Sequence, residues 1–141
     1  MAEEQSRLFS SATLGDFVKH IAVEFTDRKG SFPFKDEEPW HEMLMEVQEK
    51  YVESVKFLKS VKFDYDEMPY PNCRKLTEFL QALHWSGALS VGNPSFSEAI
   101  VRPGLKKIWK DEEKKQDEAY LKAVEFGVES LIKFTNSEKK N

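Results

Sequence analysis

Few side chains in this 141-residue chain stand where chemistry could start, and each set has a spacing that can be weighed. His20 and Glu24 lie four residues apart, which puts an imidazole and a carboxylate on one helix face at metal-chelating distance. No third ligand stands nearby in sequence, and the same spacing is common on solvated helix faces. Cys73 precedes Arg74 and Lys75 at the start of a predicted helix, where positive charge and the helix N-terminus would favour a thiolate. A lone cysteine without an assignable histidine is more often a small residue at a helix start. Asp64, Asp66 and Glu67 form an acidic cluster, but it lacks the glycine and the distal glutamate of a calcium loop. The chain contains no glycine-rich phosphate loop and no nucleophile elbow. The reading is therefore a non-enzymatic protein with no cofactor and no metal.

Charge is distributed unevenly. The net charge is −4, yet residues 69–110 carry +4, against −6 for residues 1–68 and −2 for residues 111–141. One basic block inside an acidic chain is the pattern expected of a surface that meets phosphates. It also arises when solvated lysines happen to cluster. Hydrophobic residues make up 40% of the chain and aromatic residues 13%, enough to build a folded core. A single cysteine rules out an internal disulfide framework and suggests a reducing, cytoplasmic setting. No apolar run reaches the roughly 18 residues of a membrane span, so no membrane partner is expected. The N-terminal MAEEQSRLFSS is acidic and polar, unlike a signal peptide.

The elements that would position these groups follow from periodicity. Residues 1–10 read as a flexible tail. A helix over about 13–27 begins at Thr13, with Asp16 as its capping-box partner, and ends at Lys29-Gly30. Leu14, Phe17, Val18, Ile21 and Phe25 form its apolar stripe. Residues 30–35 read as a loop that tucks one phenylalanine over the core. Asp36 caps a long helix to about Ser60, buried through Trp40, Leu44, Val47, Tyr51, Val55 and Leu58, the spine of the domain. Prolines around Tyr70 keep residues 61–71 extended. Asn72 then caps a helix over 73–86, with Leu76, Phe79, Leu80 and Leu83 inward and Gly87 at its end. Residues 88–102 read as a β-hairpin with its turn at 92–95. Leu105, Ile108 and Trp109 share a face of the short helical segment that follows. A last helix runs from about Asp111 to Thr135.

The fold class is thus mainly α: a single domain of four main helices plus one β-hairpin, with a long C-terminal amphipathic helix. Residues 11–110 form the helical domain, with a helix–hairpin unit at 72–110. Residues 111–141 form a terminal helix for packing or dimerisation.

Leu76, Leu80, Leu83, Gly87 and Leu89, followed by the hairpin and Arg102-Pro103-Gly104-Leu105, resemble the core of winged-helix proteins such as the MarR-like and PadR-like regulators. The lead-in FDYDEMPYP resembles that of small winged-helix antitoxin-like domains. The resemblance covers about 35 residues, near 69–107. It implies a transcription regulator that binds duplex DNA, with the 73–86 helix reading the groove and the hairpin as wing. Arg74, Lys75, Gln81, Arg102, Lys106 and Lys107 would make the nucleic-acid contacts. Glu78, in the middle of that face, suits only a cytosine amino group. A competing reading makes Trp85, Phe96 and Trp109 an aromatic anchor for a protein partner, the chain then being a complex-assembly subunit that binds no nucleic acid. In either case Leu121, Val124, Val128 and Leu131 could form a homodimer seam, or pack back onto the domain.

Overall fold

The computed structural model describes residues 12–33, 36–65, 69–90 and 98–140, with side chains at all of these except 33, 90, 98 and 136–140. The chain is mainly helical, and the described residues form five α-helices: α1 (Leu14–Lys29), α2 (Glu38–Tyr51), α3 (Arg74–Trp85), α4 (Pro103–Lys114) and α5 (Glu118–Lys140). Three short strands, β1 (Phe32–Pro33), β2 (Leu89–Ser90) and β3 (Glu98–Val101), pair in the order β1-β3-β2. The expected N-terminal tail and the hairpin turn at 92–95 lie outside the described residues.

Helix α1 forms where its sequence predicts. The Thr13 hydroxyl accepts from the Asp16 amide, and the Asp16 carboxylate accepts from the Thr13 amide, a complete capping box. Gly30 follows at φ 85°, and its N–H closes onto the Thr26 carbonyl. Leu14, Phe17, Val18, Ile21, Ala22, Val23 and Phe25 are all buried, so this helix is covered on most sides. It touches α3, α4, α5, β1 and β3, which makes it, rather than α2, the most connected element.

The long helix expected to Ser60 ends at Tyr51. A 3-10 turn, Lys56–Ser60, replaces its last turns. The apolar spacing carried on past the break because Val55 and Leu58 are buried there too. The Gln48 side-chain amide holds the break by donating to the carbonyls of Leu58 (2.9 Å) and Val61 (2.8 Å). Gln48→Ala leaves both carbonyls without this donor, and its expected cost is about 1–3 kcal/mol. A denaturant midpoint equal to the wild type would show that water replaces the amide without loss. Asp36 does take part in starting α2, accepting from the Glu38 amide at 3.1 Å.

Residues expected to be a simple loop, Phe32 and Pro33, instead add an edge strand. Phe32 lies opposite Ala99, and Pro33 opposite Glu98. Proline is tolerated there because an edge strand leaves one row of N–H groups unpaired. Phe32 is the ring tucked into the core, edge-on to Trp40 at 5.8 Å. Leu89 lies opposite Val101 and Ser90 opposite Ile100, and the Arg102 amide continues the ladder to the Ala88 carbonyl.

The C-terminal segment is two helices, not one from Asp111. The polar run 111–117 finishes α4 and turns through Lys115 and Gln116, whose amides bond back to Glu112 and Glu113. Asp117 starts α5 by accepting from the Tyr120 amide at 3.0 Å. Helix α5 packs along α2 and onto α1, burying Tyr120, Ala123, Val124, Val128 and Leu131. Val124, Val128 and Leu131 are therefore spent inside this chain and cannot face a second copy; Leu121 is half-buried. No helix among the described residues is long and apolar enough to cross a membrane.

Candidate nucleic-acid interface

Helix α3 turns Leu76 and Leu80 into the core, with Phe79 and Leu83 half-buried beside them. The opposite face is open: Arg74, Lys75, Glu78, Gln81 and Trp85 are all exposed, Trp85 at 84%. Arg74 and Lys75 occupy the first turn and Gln81 the third, as the periodicity of the inward leucines requires.

What fixes α3 is a polar joint that the sequence did not reveal. Asn72, the expected cap, instead pairs with Asp64 through reciprocal backbone bonds of 2.8 and 2.9 Å. The residue preceding α3 is Cys73, whose backbone N–H donates to His41 Nδ1 at 3.0 Å. That assigns the His41 proton to Nε2, which faces Thr77 Oγ1 at 3.2 Å and Glu37 Oε1 at 3.5 Å. The Thr77 hydroxyl donates to the same Glu37 oxygen at 2.7 Å. Burial alone would raise the Glu37 carboxyl, but the hydrogen bonds from His41 and Thr77 outweigh it and hold the group below its usual range. His41 is fully buried, and Tyr70 lies 5.4 Å from its ring. The clue in the sequence was a pair of matched spacings: Glu37, the N-cap residue of α2, with His41, and Cys73, the N-cap residue of α3, with Thr77.

The joint is built to hold two helices together. His41 Nδ1 is occupied by a backbone amide, and the Thr77 proton goes to a carboxylate, so neither is arranged as a base–nucleophile pair. The Cys73 side chain is itself buried. His20 is committed elsewhere: its Nδ1 lies 2.6 Å from the Tyr120 hydroxyl inside the core. Among the described residues no three His, Cys, Asp or Glu side chains are grouped to hold a metal ion; Asp66 and Glu67 of the acidic cluster lie outside them.

Strand β3 leads directly into α4, where Arg102 is the exposed N-cap residue and Lys107 is exposed one turn on. Lys106 is different. Its ammonium pairs with Asp27 of α1, which also takes Lys110, so its charge is already compensated. Trp109 is also not where the aromatic-anchor reading needs it: it is 6% exposed, with the Lys19 ammonium 5.5 Å from its ring. Phe96 lies outside the described residues. Only Trp85 of that trio is described as accessible.

One basic residue was missed. Lys62 and Arg74 line a shallow cleft of about 170 Å³ with Phe63, Asp64 and Asn72, beside the start of α3. Lys62 sits in the connector just upstream of the basic block, and the Asp64–Asn72 bridge folds it back beside Arg74.

Comparison of the chain with protein-family models, with curated proteins and with solved structures returned no match.

Proposed function

We propose that this chain is a winged-helix-like, non-enzymatic regulator that binds duplex DNA through the outward face of α3, with the β2–β3 hairpin and the start of α4 beside it. The observation that carries this reading is topological. Two helices flank an edge strand, a third helix follows, and a hairpin returns so that the edge strand pairs with its second strand, in the order β1-β3-β2. A winged-helix domain has this order, and its third helix is the one that enters the major groove. That helix here leaves Arg74, Lys75 and Gln81 exposed, and among the described residues Arg74, Lys75, Arg102 and Lys107 form no salt bridge. Arg and Lys would take phosphates and Gln81 a base edge. Lys106 supports the contact weakly, since Asp27 already holds it.

Fluorescence anisotropy of a labelled random duplex, titrated with the protein across a salt series, tests the reading. The expected log–log salt slope is several units, dropping by about 0.9 for each phosphate the protein no longer neutralises. Reversing Arg74, Lys75 and Arg102 to glutamate should flatten it, whereas Lys106→Ala should change it least. Absence of binding even at low salt overturns the proposal.

The second reading, a protein-interaction subunit, rests on Trp85, whose 84% exposure is unusual for so large an apolar ring. It would then be the central anchor residue, without Trp109. A folded protein that binds no DNA at low salt would turn attention to this surface.

A further inference from the structure

The cleft at the start of α3 takes its two cations from opposite arms of one antiparallel bridge. Asp64 and Asn72 exchange backbone bonds of 2.8 and 2.9 Å. Stepping from Asp64 back to Lys62, and from Asn72 on to Arg74, keeps the antiparallel register, so Lys62 and Arg74 start from opposed positions. Side chains alternate along an extended arm, and this step returns each to the face of the bridge pair. Lys62, Asp64, Asn72 and Arg74 accordingly line the same cleft.

Both arms are pinned from α2 immediately before the cation. The Gln48 amide donates to the Val61 carbonyl at 2.8 Å, and His41 Nδ1 accepts from the Cys73 N–H at 3.0 Å. The backbone under each cation is thus fixed while both side chains stay exposed, so binding has only the side chains left to order. Among the described residues neither Lys62 nor Arg74 forms a salt bridge. Against them stands the Asp64 carboxylate, and two cations against one carboxylate leave a net positive charge that matches one phosphodiester. The Asn72 amide adds N–H donors at the same place. At about 170 Å³ the cleft is smaller than the roughly 300–1,000 Å³ of small-molecule sites, which suits a single phosphate group.

We propose that Lys62 and Arg74 close together on one backbone phosphate of the duplex, and that this shared contact sets the register of α3 in the groove. The inference rests on α3 as the DNA-contacting helix; it adds Lys62 to that surface and joins it to Arg74 as one unit. The Arg74 guanidinium presents a planar fork of N–H donors to two phosphate oxygens, and the Lys62 ammonium approaches the same group as a point charge. Phosphate contacts position a protein without reading sequence, so Lys62 is a positioning residue and its loss weakens binding to all sequences alike.

Salt slopes on the labelled random duplex count the phosphates directly. The full chain is compared with Lys62→Ala, Arg74→Ala and the double variant; both side chains are exposed, so the helical circular dichroism of all three should match the wild type. One shared phosphate predicts that the double variant loses about 0.9 from the log–log slope. Each single variant loses less than that, because the remaining cation still neutralises the phosphate. Two separate phosphates would instead give a loss of about 0.9 for each single variant and about 1.8 for the double. That result, or a double variant with the wild-type slope, overturns the shared clamp and leaves DNA binding by α3 standing. A wild-type chain that binds no duplex at low salt overturns both.

Discussion

Acidifying the protein from pH 6.5 to pH 4 is expected to cost the fold on the order of 3 kcal/mol through His20 alone. His20 is 1% exposed and sits edge-on to Tyr120, ring centroids 5.6 Å apart, with Nδ1 bonded to the Tyr120 hydroxyl. Its Nε2 has no hydrogen-bond partner among the described residues. The neutral ring needs only one donor satisfied, whereas the imidazolium presents two and buries a charge as well. Burial is the main reason its pKa falls from 6.5 to about 4; the nearby Asp16 opposes the shift and Lys19 adds to it. The unfolded chain therefore takes up the proton first. The contribution of His20 is complete above pH 6.5 and is lost as the pH falls to about 4. Burial pushes the Glu113 carboxyl up to about 8, so that group acts in the opposite direction across an overlapping range, and the clean measurement is a difference. Urea midpoints across this range, wild type against His20→Gln, should diverge at high pH and converge at low pH. Parallel curves would show that the imidazole titrates normally in the fold.

Gly127→Val is expected to destabilise the protein by about 3 kcal/mol or more. Gly127 lies inside α5 where that helix crosses α1 and α2. A Cβ placed there would lie 2.8 Å from Ile21 Cδ1, 3.2 Å from Met43 Sδ and 3.2 Å from Phe17 Cζ. All three neighbours are fully buried, so none can swing into solvent to make room. Alanine would gain about 1 kcal/mol of helix propensity, which offsets part of its clash. Valine adds two more carbons and the χ1 restriction of a β-branched residue, with no comparable gain. Denaturant unfolding of the wild type, Gly127→Ala and Gly127→Val should rank them in that order of decreasing stability. A valine variant as stable as the wild type would mean the three helices do not meet at this residue.

The parts of the fold written in local patterns were legible. Thr13, Asp16 and Gly30 delimit α1 within two residues of their predicted roles, and the Leu76–Leu80 spacing gave both the inward and the outward face of α3. What was missed depends on partners far along the chain. Val55 and Leu58 are buried whether the backbone continues as α-helix or tightens into a 3-10 turn, so periodicity could not see α2 end. Strand β1 is two residues long, and its partner is Ala99 and Glu98. Residues 111–117 contain neither glycine nor proline, and only Asp117 signalled a new helix start. At the candidate interface, exposure of Arg74, Lys75 and Gln81 followed from the helical pattern, whereas the pairing of Lys106 with Asp27 required the packing of α4 on α1. Trp109 was misplaced for the same reason.

The joint around His41 separates the job of holding α3 from the job of presenting it. The helix is anchored by Cys73, Leu76, Thr77 and Leu80, each turned toward α2 or the core. Positions 74, 75, 78, 81 and 85 take no part in that anchorage. The outward face is therefore replaceable: those five side chains can be exchanged as a set, like type in a fixed frame, while the scaffold stays intact. A library confined to them would vary the surface on one unchanged backbone, and Glu78 is the position where exchange for a neutral or basic residue would alter the surface charge most.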